Sequence, residues 1–106
     1  MKTLIRYPLF ILLLTAAALV SAEPEGSIKV AKKTPRWEQV AMAKITAADA
    51  MDIALTAVPG AVVELELEVD DGVLIYEVSV IGKSHETVVL EIDAGTGEIL
   101  EREDDD

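Results

Sequence analysis

Acidic side chains are the main groups in this sequence that could do chemistry. Glu64, Glu66 and Glu68 recur at every second position, and Asp49 and Asp52 lie three residues apart in an Ala-rich stretch. Paired carboxylates can act as general acid and base or ligate a divalent cation. A simpler interpretation is favoured, because alternating glutamates are typical of the solvent face of a strand and aspartates near a helix start favour the helix dipole.

Other residue types that carry catalysis are scarce. The chain has no cysteine and a single histidine, His85, which falls in a predicted turn. Thiol chemistry and disulfides are therefore excluded, and a lone turn histidine is a poor candidate for a metal ligand. The sequence also offers no phosphate-binding loop and no nucleophile beside a base. We expect no catalytic, cofactor-binding or metal-ligating residues, no cofactor, and no enzymatic activity.

The charge balance indicates which partners the chain avoids. All 20 acidic residues follow position 22, whereas Lys2 and Arg6 precede it, so the nine basic residues leave seven against 20, a balance of −13. Such a charge repels nucleic acid and anionic membrane surfaces. It is compatible with cationic partners, with weak binding of divalent cations, or with solubility alone.

The first 22 residues have the pattern of an export signal. Lys2 and Arg6 precede an apolar stretch up to Val20, and the small residues before Glu23 suit a signal peptidase. The uncharged run ending at Ala22 is 16 residues long, which is shorter than the roughly 18 to 20 residues of a membrane span. We expect cleavage before Glu23, no stable membrane anchor, and a periplasmic or extracellular protein.

Residues 23–43 are predicted to form a loose N-terminal arm or linker. Thr34-Pro35 could begin a short helix through Trp37 and Val40, or Gln39–Ile45 could run extended beside the sheet. Both alternatives stay open at this point. Trp37 either contacts a partner or covers one end of the core, and the second interpretation is favoured.

One helix is predicted with the sheet on one side of it. Thr46 and Asp49 have the spacing of a capping box, and the Ala-rich sequence that follows ends before Pro59. Asp49, Asp52 and Thr56 share a stripe that should face water. The residues expected to cover the sheet are Ala50, Met51, Ile53, Ala54, Leu55, Ala57 and Val58.

Alternating apolar residues predict antiparallel strands over 63–69, 73–81 and 86–92. Asp71-Gly72 suits a tight hairpin between the first two strands. The predicted buried residues are Val63, Leu65, Leu67 and Val69 in the first strand, Leu74, Tyr76, Val78 and Val80 in the second, and Val88, Leu90 and Ile92 in the third. Glu64, Glu66 and Glu68 then line the wet face of the sheet and are the predicted partner-binding residues.

The end of the chain combines a turn with a charge run. Asp93–Gly97 forms a loop that reverses the chain, after which Ile99 or Leu100 returns to the edge of the core. Residues 102–106 are predicted to be an acidic tail without regular structure. A weak calcium site in this tail is disfavoured, because consecutive carboxylates lack the spaced ligands of an organised loop.

Several short motifs follow one another along the predicted elements. They are Ala43-Lys-Ile-Thr at the helix start, Val58-Pro-Gly at its end, Tyr76-Glu-Val in the middle strand, and Asp93-x-x-Thr-Gly-Glu-Ile-Leu at the end. In the order of these motifs, the chain resembles the PepSY domain family from Lys44 to Leu100. The resemblance implies an α+β fold, with one helix on a small antiparallel sheet of three to four strands, in a PepSY-like domain at 44–101. It also implies an exported module that binds or restrains a peptidase, and it brings no catalytic residues.

Two functions follow from these expectations. The first is an exported, non-catalytic binding or regulatory module whose partner is a protein or peptide, such as an envelope peptidase, and an exposed sheet edge could pair with such a peptide. The alternative is an acidic cation-binding or envelope-stress accessory protein.

Overall fold

The computed structural model of the chain describes residues 24–105. The predicted signal peptide at 1–22 lies outside the described residues. The described elements are helices α1 (Arg36–Met42) and α2 (Ala47–Ala57), followed by strands β1 (Gly60–Asp70), β2 (Val73–Gly82), β3 (Thr87–Asp93) and β4 (Ile99–Asp105). The predicted α+β class with an antiparallel sheet is confirmed, with α1 as a second helix. Neither of these helices is long and apolar enough to cross a membrane.

The four strands form one sheet in the order β1-β2-β3-β4, and each strand is antiparallel to the next. The predicted hairpin between β1 and β2 is confirmed. Asp71 and Gly72 have φ angles of 50° and 79°, which match the right-handed twist of the strands that they join. This two-residue turn fixes the register between β1 and β2.

The core lies between α2 and one face of the sheet. The two alternating runs of β2 and β3 are buried as predicted, and within α2 the buried residues are Ala50 and Ala54, both 0% exposed. Two alanines four residues apart lie on one helix face. Their small side chains let the helix backbone approach the sheet closely, where it lies over β1 and β2.

The burial pattern of β1 differs from the prediction at two valines. The pairing register shifts between Val62 and Glu64, so Val62 packs against the core whereas Val63 is 60% exposed. A β-bulge places two residues opposite one and therefore reverses which face the preceding residues occupy. Val69 is 37% exposed because it lies near the end of this edge strand. The predicted burial of Val63 and Val69 is wrong, while Leu65 and Leu67 pack against the core.

Helix α2 begins at the predicted capping box. The Thr46 hydroxyl accepts a hydrogen bond from the Asp49 N–H at 3.0 Å, and the Asp49 carboxylate accepts one from the Thr46 N–H at 2.9 Å. Hydrogen bonds to the Asp49 carboxylate, first from the backbone and then from the side chain of Thr46, lower the pKa of Asp49. Asp49, Asp52 and Thr56 are exposed as predicted, but Ala57, which was expected to cover the sheet, is exposed too.

The capping box has a measurable contribution to stability. We expect Thr46→Ala to lower the free energy of unfolding by about 1 kcal/mol, because it leaves a backbone donor of the first turn without its partner. Thr56→Ala is the matched control, since the exposed Thr56 hydroxyl bonds only to the Asp52 carbonyl of its own helix. Urea unfolding of both variants measures the difference, and equal midpoints would show that the cap contributes nothing.

The N-terminal segment, residues 24–34, is not the loose arm that was predicted. The Val30 N–H donates to the Gly72 carbonyl at 2.8 Å, and the Leu74 N–H donates to the Ile28 carbonyl at 3.0 Å. Val30 is only 8% exposed. The segment therefore pairs with the start of β2 and extends the hydrogen-bonded structure beyond the four strands.

Helix α1 settles the two alternatives for residues 34–45 in favour of a helix. Pro35 occupies the N-cap position, and the Thr34 hydroxyl donates to the Ala31 carbonyl at 2.6 Å instead of capping the helix. Trp37 is 73% exposed, so the prediction that it covers one end of the core is wrong. Met42 and the residues that follow α1 pack against the core in its place.

Strand β4 replaces the irregular acidic tail that was predicted. Glu101–Asp105 continues the strand from Ile99 and pairs with β3 along its length. Arg102 and Asp104 form an ion pair with an N–O distance of 2.8 Å on this strand. Charged side chains are compatible with an edge strand, because they remain in water and discourage pairing with another chain.

Candidate functional site

The predicted binding residues lie on the sheet face opposite the core. Leu65 and Leu67 pack toward the core, so Glu64, Glu66 and Glu68 project from the other side of β1. Glu64 and Glu66 are exposed and Glu68 is half-buried. We call this side of the sheet the acidic face. The structure confirms where these glutamates lie, and their role in binding stays a prediction.

A row of four glutamates crosses the acidic face at one level. Glu66 pairs with Glu77, Glu77 pairs with Glu91, and Glu91 pairs with Glu101, so each strand contributes one member. We call these four residues the acidic row. Like charges directly opposite each other on neighbouring strands destabilise a sheet. The row is therefore a cost to folding that the rest of the domain offsets.

Sequence reasoning missed three members of this row. The Asp71-Gly72 turn sets the register of β1 and β2, so Glu77 could have been placed opposite Glu66 from the turn alone. Glu101 could not have been found in this way. A register shift between Glu91 and Ile92 changes the pairing of β3 and β4. The residues of the loop between these strands do not predict this shift.

Three carboxylates crowd together at the β1 side of the acidic face. The oxygens of Glu66, Glu68 and Glu77 lie within 4.8 Å of one another, and this is the one such group found among residues 24–105. Burial raises the pKa of Glu68, and the neighbouring charges of Glu77 and Glu66 raise it further. Exposed carboxylates often gather without an ion, so the geometry assigns no metal here.

Glu91 is the most perturbed member of the acidic row. Burial raises the pKa of Glu91 to about 7, helped by a hydrogen bond with the Asp70 carboxyl and by the charges of Asp70, Glu101 and Glu77. Near neutral pH Glu91 therefore holds, for part of the time, a proton that an isolated glutamate would have lost.

A cavity of about 340 Å³ adjoins the acidic row. The N-terminal segment, the β1–β2 turn and strands β3 and β4 form its walls. Its charged lining consists of Glu25, Lys29, Asp70, Asp71, Glu91 and Glu101. The cavity thus opens among five carboxylates and one ammonium group, which suits a cationic group of a ligand better than an anionic one.

Asp93 anchors the N-terminal segment beside this cavity. Its carboxylate accepts hydrogen bonds from the Ser27 N–H at 2.8 Å and the Ser27 hydroxyl at 2.6 Å, and from the N–H and hydroxyl of Thr96, both at 2.8 Å. Burial opposes ionisation of Asp93, but these bonds together lower its pKa. At 1% exposure the carboxylate cannot reach a ligand. The Asp93-x-x-Thr96 motif is therefore structural.

The other candidate residues lie away from the acidic face. Asp49 and Asp52 project from α2, which covers the opposite side of the sheet. His85 is exposed in the turn between β2 and β3, at the end of β2 remote from Val73 and the cavity. The structure does not bring these residues together with the glutamates.

Comparison with known proteins gives the following matches. The PepSY family model, described as peptidase propeptide and YPEB domain, matches residues 44–103. A protein of Bacillus subtilis (strain 168) with the name uncharacterized protein YkoJ is 37% identical over 78 residues, which are 74% of this chain and 46% of that relative. The chain thus spans about half the length of this relative. No solved structure matches the chain.

Proposed function

Because this chain belongs to the PepSY family, we propose that it is an exported, non-catalytic regulatory module that binds a protein or peptide partner through its acidic face. Domains of this family are propeptide-like modules. The partner class that this suggests is a peptidase of the cell envelope. Export rests on the signal-like first 22 residues of the sequence.

The observation that carries the proposal is the acidic row together with the glutamates of β1. Neighbouring strands are about 4.8 Å apart, so the row presents four carboxyl groups over roughly 14 Å. Positively charged side chains of a partner would relieve the repulsion within the row, and binding would gain that relief in addition to direct attraction. A lysine- or arginine-rich segment of the partner fits this surface.

The absence of catalysis is part of the same proposal. Among residues 24–105, the cavity lining contains no serine, cysteine or histidine, and the group of crowded carboxylates contains no histidine or cysteine. A surface for electrostatic recognition is the simpler use of this arrangement.

A cation-binding or envelope-stress accessory role is the second candidate. The crowding of Glu66, Glu68 and Glu77 within 4.8 Å favours it. The predicted acidic tail no longer supports it, because that run forms β4 and Arg102 engages the Asp104 carboxylate. If a divalent cation is the physiological ligand, millimolar calcium should raise Tm and should do so less in Glu66→Gln.

The main test is a titration of a lysine-rich peptide against the protein, followed by candidate envelope peptidases. Electrostatic binding is screened by salt, so we expect affinity to fall about tenfold or more between about 50 and 300 mM salt. Replacing the three β1 glutamates of the acidic face by glutamine should weaken binding and flatten this dependence. The matched control removes three negative charges elsewhere, with Glu38→Gln, Asp52→Asn and Glu98→Gln.

Two results would contradict the proposal. Binding that ignores salt and is equal in the two triple variants would exclude the acidic face as the binding surface. Turnover of a substrate by the purified protein would overturn its non-catalytic character.

A further inference from the structure

Glu91 lies at the centre of the charged groups of the acidic face. It has a glutamate directly opposite on each side, Glu77 on β2 and Glu101 on β4. Asp70, at the end of β1, lines the same cavity as Glu91. The other charged groups that line the adjoining cavity are Glu25 and Lys29 of the N-terminal segment and Asp71 of the turn.

This arrangement favours uptake of a proton on folding. A single proton on Glu91 removes its repulsion with the Asp70 carboxylate, which lines the same cavity. It also relieves the repulsion that Glu91 has with Glu77 and Glu101 on the neighbouring strands. In the unfolded chain these groups are far apart, so the same proton has no such effect there.

We propose that the acidic row is a pH-responsive element, in which Glu91, flanked by Glu77 and Glu101, takes up a proton as pH falls, which stabilises the sheet and weakens the binding of a cationic partner to the acidic face. The effect on the partner rests on the function proposed above. The effect on the sheet needs no partner. An exported protein meets the pH of its surroundings directly, so such an element would couple partner release to acidification.

The sign of the effect follows from proton binding. Burial, Asp70, Glu101 and Glu77 raise the pKa of Glu91 from an ordinary value of 4.5 to about 7. Between these values the folded protein binds more protons than the unfolded chain, so stability is present in acid and is lost as pH rises through about 7. Asp49, Asp93 and Asp104 have lowered pKa values and oppose this trend only below their ordinary value of 3.8.

Thermal unfolding at constant ionic strength tests the stability effect. A change of 1 kcal/mol moves the Tm of a domain of this size by about 4 to 8 °C, so we expect Tm about 5 °C higher at pH 6 than at pH 8. Glu91→Gln should raise Tm at pH 8 and remove most of the difference. Glu98→Gln removes the same charge from an exposed loop position and should keep it.

Two further variants are controls for this test. Asp70→Asn removes a neighbouring negative charge that raises the pKa of Glu91. It also should reduce the pH dependence, which covers the case that Glu91→Gln does not fold. Histidines titrate in the same window, so the series is repeated with His85→Asn, chosen because asparagine tolerates the φ of 70° at this position. Equal Tm values at pH 6 and 8, or a difference that survives in the variants of both Glu91 and Asp70, would overturn the proposal.

The binding arm uses the lysine-rich peptide at the same two pH values and one salt concentration. For the wild type, we expect Kd to be several-fold higher at pH 6 than at pH 8, because binding is weaker in acid. For Glu91→Gln, we expect the same Kd at both pH values. Tighter or equal binding of the wild type at pH 6 would overturn the coupling to the partner. If no peptide binds at either pH while Tm shifts as expected, the proposed function fails and the pH-responsive element stands.

Discussion

Asp93→Ala should lower the free energy of unfolding by about 4 kcal/mol. The substitution removes four hydrogen bonds to a charged group, each of which contributes about 1.5 to 3 kcal/mol, and the cost of burying the carboxylate, which the substitution also removes, offsets part of that sum. Ser27 and Thr96 each donate two of these bonds. The site is 1% exposed, so water does not replace the lost acceptor. The N-terminal segment would lose its anchor at the same time as the loop between β3 and β4 loses its internal bonds.

Urea unfolding of Asp93→Ala, Asp93→Asn and Asp52→Ala measures this effect. Asn keeps the shape but replaces one acceptor oxygen by an amide that cannot accept, so we expect an intermediate loss. Asp52 is exposed on α2, and its replacement by Ala should change stability by less than about 0.5 kcal/mol. Similar midpoints for Asp93→Ala and Asp52→Ala would show that the hydrogen bonds of Asp93 do not stabilise the fold.

The pH dependence of the free energy of unfolding of the wild type gives an independent measure of the stabilisation by Asp93. Its pKa is lowered in the folded protein despite its burial, because Ser27 and Thr96 hydrogen-bond to the ionised form. The stabilisation is therefore complete above the ordinary value of 3.8 and is lost as pH falls below it. Asp93→Asn should lose this acid-sensitive part of the stability curve and keep the opposite trend near neutral pH that Glu91 causes.

Leu67→Asp and Val63→Asp should differ by about 3 kcal/mol, although the alternation of β1 places both residues on the same face. Leu67 packs against the core, so Asp there loses apolar burial and brings a charge toward the interior. Val63 lies at the bulge and is 60% exposed, so we expect Val63→Asp to cost less than about 1 kcal/mol. The two variants carry the same charge change on one strand and are matched controls for each other.

Thermal and urea unfolding of this pair decide how β1 lies on the core. Equal destabilisation would mean that β1 has no bulge in solution and that Val63 is buried as the alternation predicts. Glu66→Lys is a useful third variant, because it places a cation among the carboxylates of the acidic row and should raise stability at pH 8.

Local patterns in the sequence predicted a large part of this fold. The spacing of Thr46 and Asp49 identified the start of α2, because a capping box involves only neighbouring residues. Asp71-Gly72 identified the first hairpin for the same reason. The alternation in β2 and β3 identified most of the buried core. The resemblance to PepSY, read from ordered short motifs, is confirmed by the match over residues 44–103.

The candidate site was predicted only in part. Alternation in β1 placed Glu64, Glu66 and Glu68 on the solvent face, since period-two patterning shows which residues share a side of one strand. It says nothing about which residues of other strands lie beside them. The position of Glu91 within the acidic row depends on the register of β1 with β2, of β2 with β3 and of β3 with β4. Only the tertiary structure revealed this register.

The same distinction separates what the sequence determined from what only the tertiary structure decided. Helix caps, two-residue turns and alternation arise from contacts within a few residues, so their signals are visible along the chain. Three other features depend on contacts between residues that are far apart in the sequence. They are the bulge at Val63, the pairing of the acidic end of the chain as β4, and the hydrogen bond between Ser27 and Asp93. The polar groups of an open sheet edge or a buried carboxylate need hydrogen-bond partners, and only the folded chain determines which segment supplies them.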